Sequence, residues 1–297
     1  MRGPAENWAS MNQTPPVARP QGQSFQSICR FSRRLCIFAS GVLLLFLHTL
    51  PARAFDHGHA QWDALTRKHV AWIADGHASR VDYLGFTAER ASLEAYLASL
   101  SAVSQSEYDD WTRAQKLAFL INAYNAFTVE LILTRYPDLK SIRDLGSVLR
   151  SPWKRRFFTL LGQERSLDDI EHGMIRAPGA FDEPRIHMAV NCASIGCPAL
   201  RPEAFVAQRL DAQLEDSVVR FLSDRSRNRV RDGSLQVSKI FDWYGADFRS
   251  QAGSVEKWLS RYAQQLADDA AERLAVREAR LPVRFLEYDW TLNDLKR

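Results

Sequence analysis

Apolar positions change their spacing several times along the chain, and each change predicts an element. An uncharged apolar run occupies residues 35–50. Over residues 61–75 the apolar positions recur at helical spacing and stop at Gly76, which predicts an amphipathic helix. Residues 81–83 read as a short strand, and Thr87 as the N-cap of a helix over 88–100. A longer helix is predicted over 107–136, ended by Pro137. Its stretch 116–133 is apolar nearly all round, as in a central buried helix.

Further on, residues 157–161 read as a strand turned by Gly162. Ser166-Leu167-Asp168-Asp169 opens a helix in capping-box style, with Asp in place of Glu, that runs to Arg176. Residues 185–190 alternate, which predicts a strand with Ile186, Met188 and Val190 on one face. A turn-rich segment, a helix over 203–222 and a hairpin over 229–238 turned at Asp232-Gly233 follow. A long amphipathic helix over 255–277 and a strand over 282–291 close the chain. Helices outweigh short strands, so the expected fold class is α+β: mainly helical with a small, antiparallel sheet, in a single globular domain after a signal peptide. The expected organisation is an N-terminal extension and signal peptide over 1–54, a helical part over 55–105, a core over 106–250, and a C-terminal helix and strand over 251–297.

The leader reading rests on order. Arg30, Arg33 and Arg34 precede the 35–50 run, and Pro51-Ala52-Arg53-Ala54 follows with an Ala-x-Ala ending. Basic, apolar, small-residue cleavage site is the order of a secretory signal, and the run is short of the ~20 residues that span a bilayer. The chain is therefore expected to be periplasmic or secreted, the alternative being an inner-membrane anchor formed by residues 35–50. Residues 1–54 hold six Lys+Arg and one Asp+Glu; removing them from totals of 39 and 35 leaves 33 and 34, a net charge of −1. Bulk charge then gives no argument for a nucleic-acid partner. Contact with a membrane is expected only through an uncleaved leader.

Of the four cysteines, Cys192 and Cys197 lie beyond the leader. The segment from Arg185 to Pro198 gathers His187, Asn191, Cys192, Ser194 and Cys197, where a strand is predicted to end. An imidazole that takes a thiol proton makes a nucleophilic thiolate. In an oxidising compartment the same two thiols can instead form a disulfide. Asn122 and Asn125 lie three apart on the apolar helix, where a buried amide must find partners. They serve either to tie that helix to neighbouring backbone or to orient a group in a site. Glu171 and His172 lie on the helix that starts at Ser166 and offer an orienting carboxylate. Trp243 and Tyr244 belong to an aromatic run over 239–248 that forms either core or a groove wall. Cleavage after Ala54 would place His57 third, a position that can hold a square-planar Cu(II) or Ni(II), with His59 nearby. There is no Gly-rich phosphate loop, no HExxH and no Gly-x-Ser-x-Gly, so nucleotide, zinc-protease and serine-esterase readings are unsupported.

Four blocks together, namely 117–125, 166–176, 185–198 with Leu200, and 238–248, resemble the family called domain of unknown function 547, in that family's order. The resemblance carries no reaction. It implies that His187, Cys192, Asn122, Asn125 and the Trp243-Tyr244 pair occupy characteristic positions, and that a cysteine at the position of Cys197 is dispensable in other members. Three functional readings stay open. One is a thiol hydrolase or acyl transferase of the cell envelope with Cys192 as nucleophile, His187 as base, and Asn122 or Glu171 orienting it. Backbone N–H groups near 194–196 would then serve as oxyanion donors, with Asn125, Ser194, Trp243 and Tyr244 binding substrate. The second is a non-catalytic envelope binding or scaffold domain. The third is a metal-handling protein. No cofactor and no defined metal set is expected, and the partner is an unidentified small molecule, peptide or envelope component.

Overall fold

Residue choice at the segment ends decides most of the fold. The computed structural model describes residues 54–147 and 150–296. The expected signal sequence and its cleavage site therefore fall almost wholly outside the described residues. The described residues form one compact unit, so the described parts of 55–105 and 251–297 belong to the same body as 106–250.

Only 61–69 of the first predicted helix is α-helical. Helix α1 (Ala60–His69) gives way to strand β1 (Val70–Ile73), which pairs antiparallel with β2 (Ala78–Val81), Val70 opposite Val81. Val70, Trp72 and Ile73 favour a pleated ladder, and Ala74, Asp75 and Gly76, all with positive φ, make the turn that lets the chain return. Helix α2 (Tyr83–Ala88) starts earlier than expected. Asp82 caps it by accepting the Gly85 N–H at 3.0 Å, and Thr87 lies inside it, bonded to the Tyr83 carbonyl. Gly85 is obligatory, because a Cβ there would stand 2.3 Å from the His69 ring. Helix α3 (Arg90–Ser101) follows.

The predicted 107–136 helix is two helices, α4 (Gln105–Asp109) and α5 (Arg113–Leu133). Ser104 caps the first. Thr112 and Gln115 form a reciprocal capping box on the second, and a fresh N-cap needs non-helical backbone. Helix α5 is buried at every position from Leu117 to Leu133 except Glu130, as its all-round apolar sequence predicts. Strands β3 (Phe158–Leu160) and β4 (Gln163–Arg165) form the hairpin turned at Leu161-Gly162.

The Ser166 capping box is present: the Asp169 N–H donates to Ser166 Oγ at 3.1 Å and the Ser166 N–H to Asp169 Oδ2 at 2.9 Å. The turn it opens is wide, a π-helix over Asp169–Ile175, with the Arg176 N–H bonded to the Glu171 carbonyl. The strand predicted over 185–190 does not form. Pro184 fixes the first position and the Glu183 carboxylate accepts the Arg185 N–H, so the segment winds as a 3₁₀ helix, Pro184–Met188. All of residues 186–190 are buried, because the segment lies between two cores: Ile186 and Ala189 pack in the cluster around α5, Met188 in the other.

Helix α6 (Leu210–Ser223) starts later than predicted, after a 3₁₀ turn at Ala207–Arg209. Phe205 and Val206 are held extended because Asn122 and Gln213 take their backbone groups. Strands β5 (Arg229–Arg231) and β6 (Ser234–Ser238) form the expected hairpin, with Asp232 and Gly233 both at positive φ. Then come α7 (Ile240–Trp243) and α8 (Gly245–Ala252). The predicted 255–277 helix is broken into α9 (Val255–Leu259), a 3₁₀ turn, α10 (Ala263–Leu266) and α11 (Ala270–Arg277). Asp269 starts the last by capping two N–H groups. Strand β7 (Val283–Leu286) pairs with β6 in parallel, whereas the other strand pairs are antiparallel. The whole is α+β, helical with small sheets.

The C-terminal segment then crosses the body. Asn293 accepts from Val81 and donates to the Ala193 carbonyl, and Leu292 donates to Lys140. The Ile195 and Gly196 N–H groups donate to Thr291 and Asp289, each at 2.8 Å. A Cβ on Gly196 would come within 3.0 Å of Asp289 backbone, so glycine permits this close crossing. The crossing carries Tyr288 and Trp290 to the mouth of the site.

Candidate functional site: an aromatic-walled thiol cleft

A cavity of about 240 Å³ lies where the 3₁₀ segment, the π-helix, α7 and the C-terminal crossing meet. Its wall is aromatic. Trp243 and Tyr288 rings lie 4.9 Å apart, Trp243 and Trp290 5.7 Å, and Tyr288 and Trp290 4.6 Å, mutually tilted by 31–53°. Trp153 meets Trp290 edge-on at 5.7 Å. Trp243 is 43% exposed, so the wall opens to solvent. Cys192, Cys197, Asp168, Glu171, His172 and His187 supply the titratable part of the lining beside the tyrosines.

Both amides of α5 are clamps on backbone. Asn122 donates to the Phe205 carbonyl at 2.7 Å and accepts the Phe205 N–H at 3.0 Å. Asn125 does the same to the segment before Cys192, donating to the Ala189 carbonyl at 2.9 Å and accepting the Asn191 N–H at 2.8 Å. Asn122 therefore orients no imidazole, and Asn125 positions the thiol segment rather than a ligand. Asn191 continues the scaffold by bonding the Pro198 carbonyl and the Ala193 N–H.

The two cysteines are free thiols facing one another. Cys192 Sγ is 3.0 Å from the Tyr288 hydroxyl and 3.3 Å from Ser194 Oγ, and those two hydroxyls are 3.1 Å apart. The Cys192 N–H donates to Cys197 Sγ at 2.8 Å. Contact with Cys197, and then burial, pushes the Cys192 thiol well above its ordinary range. Burial alone would also raise Cys197, but hydrogen bonds from Cys192, from Tyr288 and from the N–H groups of residues 192 and 194 outweigh it and lower the Cys197 pKa. Negative charge in this pair is thus best held on the inner sulfur.

His187 belongs to a different set of contacts. Its Nε2 lies 2.8 Å from Asp247 Oδ2, and a carboxylate only accepts, so Nε2 carries the proton and Nδ1 is a lone pair. Nδ1 is buried without a partner. Burial lowers the His187 pKa more than Asp247 raises it, so the ring is neutral near pH 7. Burial would raise Asp247, yet bonds from His187 and from Arg176 Nε and Nη2, at 2.6 and 3.0 Å, hold it well below the carboxylate range. The ring of Tyr244 stacks on His187 at 3.9 Å and carries the Arg176 guanidinium on its face at 4.8 Å. The Tyr244 hydroxyl is directed at Glu171.

The expected Cys–His pairing is therefore changed in three respects. No hydrogen bond joins His187 to Cys192 among the described residues. The group that orients His187 is Asp247, not Asn122 or Glu171. The N–H groups of Ile195 and Gly196, expected as oxyanion donors, are consumed by the C-terminal crossing, and that of Ser194 by Cys197. Ser194, Trp243 and Tyr244 do lie at the cleft or its lining thiols. Asp168, Trp153, Tyr288 and Trp290 were not singled out from sequence, and Asp247 entered only as a member of the 239–248 run. Tyr288 and Trp290 had a signal, two large aromatics at i and i+2 in a segment read as a strand, which places both on one face.

Among the described residues no group of three or more His, Cys, Asp and Glu is arranged to hold a metal ion. The Phe55 N–H donates to Glu107, the His57 ring packs on Trp111 at 4.5 Å, and His59 is buried against the Tyr96 hydroxyl. These contacts fasten both histidines to the start of the domain.

Fold and site together define an α+β domain built around an aromatic cleft with two thiols and a shielded Asp–His pair. Residues 108–222 match the family model for proteins of unknown function, DUF547, the family the sequence blocks resemble. The match contains Asn122, Asn125, Glu171, His187, Cys192 and Cys197, and it ends before the 238–248 block, so Trp243, Tyr244 and Asp247 lie outside it. No curated protein and no solved structure matches the chain.

Proposed function

We propose that this is an exported envelope protein whose cleft binds a small organic ligand through its aromatic wall. The observation that carries the reading is the cavity itself. A half-exposed Trp243, with Tyr288 and Trp290 behind it, lines a concavity rather than closing on itself. Apolar concave sites with a few convergent polar groups are the usual form of small-molecule sites. Export is supported by the order of the leader.

A fragment screen by crystal soaking, read beside tryptophan fluorescence, tests the binding reading. Bound fragments should collect against Trp243 and Tyr288, and Trp243→Ala should weaken them without changing the melting temperature by more than a degree or two. A screen whose hits all lie elsewhere overturns it.

One observation favours a second reading, a thiol-dependent hydrolase or acyl transferase. The Asp247–His187 pair leaves a bare imidazole nitrogen in the cavity lining that also holds Cys192. Such a nitrogen is the base of an oriented dyad. Catalysis would require ligand binding to bring Cys192 to Nδ1. A Cys192→Ala protein that still binds its ligand but no longer converts it would establish this reading; unchanged conversion would end it.

A further inference from the structure

The aromatic wall leaves open what the ligand presents to the polar side of the cleft, and Glu171 answers it. Glu171 is 4% exposed, lines the cavity, and its Oε1 has no hydrogen-bond partner. The Tyr244 hydroxyl is directed at the same carboxylate and leaves Oε1 without a donor, and no ion pair within 4.0 Å involves Glu171 among the described residues. The nearby guanidinium of Arg176 is committed to Asp247 through two bonds and to His172 through a third. A shielded carboxylate oxygen with no donor is costly, and a ligand donor placed there removes the cost.

Asp168, half-buried, lies three residues before Glu171 at the head of the same π-helix and lines the same cavity. Its nearest basic group within 4.0 Å is His172, at 3.8 Å. The cavity thus joins two carboxylates to a curved wall of indole and phenol rings. Tilted rings present their electron-rich faces from several directions, which suits a compact positive head better than the flat face of a neutral ring.

Resting on the binding reading above, we infer that the ligand carries an organic cation, an ammonium or guanidinium group, whose N–H donates to Glu171 Oε1 while its carbon atoms lie against Trp243 and Tyr288. Arg or Lys side chains of a peptide and small amines share this chemistry.

The test titrates the whole protein with benzylammonium chloride, ethylguanidinium chloride and benzyl alcohol at low ionic strength, followed by calorimetry and tryptophan emission. Benzylammonium is expected to bind about tenfold or more tightly than the isosteric benzyl alcohol. Glu171→Gln, which keeps the shape, should abolish that preference and leave the alcohol unchanged. Equal binding of cation and alcohol by the native protein overturns the cation inference alone, since the cleft would still take an aromatic ligand. Failure of all three probes overturns it too, and an empty cleft in the fragment screen then removes the binding reading as well. A preference that survives Glu171→Gln assigns the cation elsewhere and overturns the role given to Glu171. Because the native ratio needs no variant, a misfolded Glu171→Gln would leave the inference open to refutation.

Discussion

The imidazole of His187 donates through Nε2 to Asp247 Oδ2 at 2.8 Å, and this bond fixes which ring nitrogen carries the proton and helps hold Asp247 ionised. Replacing Asp247 by Asn removes a favourable neighbour of the imidazolium, so the His187 pKa should fall further below 6.5. It also leaves Arg176 without its bidentate partner. We expect a loss of roughly 1–3 kcal/mol at pH 7 in urea unfolding. Ring nitrogen shifts from NMR titration would report the pKa. A higher pKa in Asp247→Asn would contradict the assigned pairing.

His59 gives a pH dependence of folding with a clear sign. Burial lowers its pKa from 6.5 to about 4. The unfolded chain therefore binds a proton that the folded chain refuses, so the stability is intact above pH 6.5 and declines as pH falls toward 4. The full effect is about 3 kcal/mol by linkage. His59→Gln should show a flatter curve than the native protein between pH 6.5 and 4. Parallel curves would mean that His59 does not carry the slope.

Asn125 is expected to be a stability determinant for the thiol segment. In Asn125→Ala both the Ala189 carbonyl and the Asn191 N–H lose their partner in a buried place. Two such groups cost about 2–5 kcal/mol together. Cys192 should then alkylate faster in the folded protein, because its segment is less firmly held. A stable Asn125→Ala protein with native thiol reactivity would refute the clamp.

Cys197 controls the reactivity of Cys192. Since contact with Cys197 is the largest cause raising the Cys192 thiol, Cys197→Ala should move the pH at which Cys192 alkylates downward. Iodoacetamide rates across pH 7–10 measure it. A profile that shifts upward would show that the inner sulfur assists ionisation of the outer one instead.

Much of this was readable in the sequence wherever one local cause decided the outcome. The all-round apolar run placed α5 in the core, Ser166 with Asp169 announced their capping box, and Asp232-Gly233 announced its hairpin. Elements failed where two causes competed. Alternation over 185–190 suggested a strand, but Pro184 and the Glu183 side chain wound it into a 3₁₀ turn buried on every side. Helical spacing over 61–75 hid a β-hairpin whose partner strand supplied the deciding bonds. The cleft was half legible. His187, Cys192 and Glu171 lie close in sequence, whereas Asp247, Tyr288 and Trp290 reach it from 60 to 103 residues beyond His187, and no local period encodes that distance.

The C-terminal crossing also fixes when the site can first exist. Tyr288 and Trp290 are among the last residues synthesised of those described, and the N–H groups of Ile195 and Gly196 wait for Asp289 and Thr291. Until then the thiol segment has unfilled backbone donors and the cavity lacks one wall. A chain that has not yet reached Tyr288 and Trp290 cannot close the cleft. The cleft is therefore assembled only once the chain has been made and folded through Trp290.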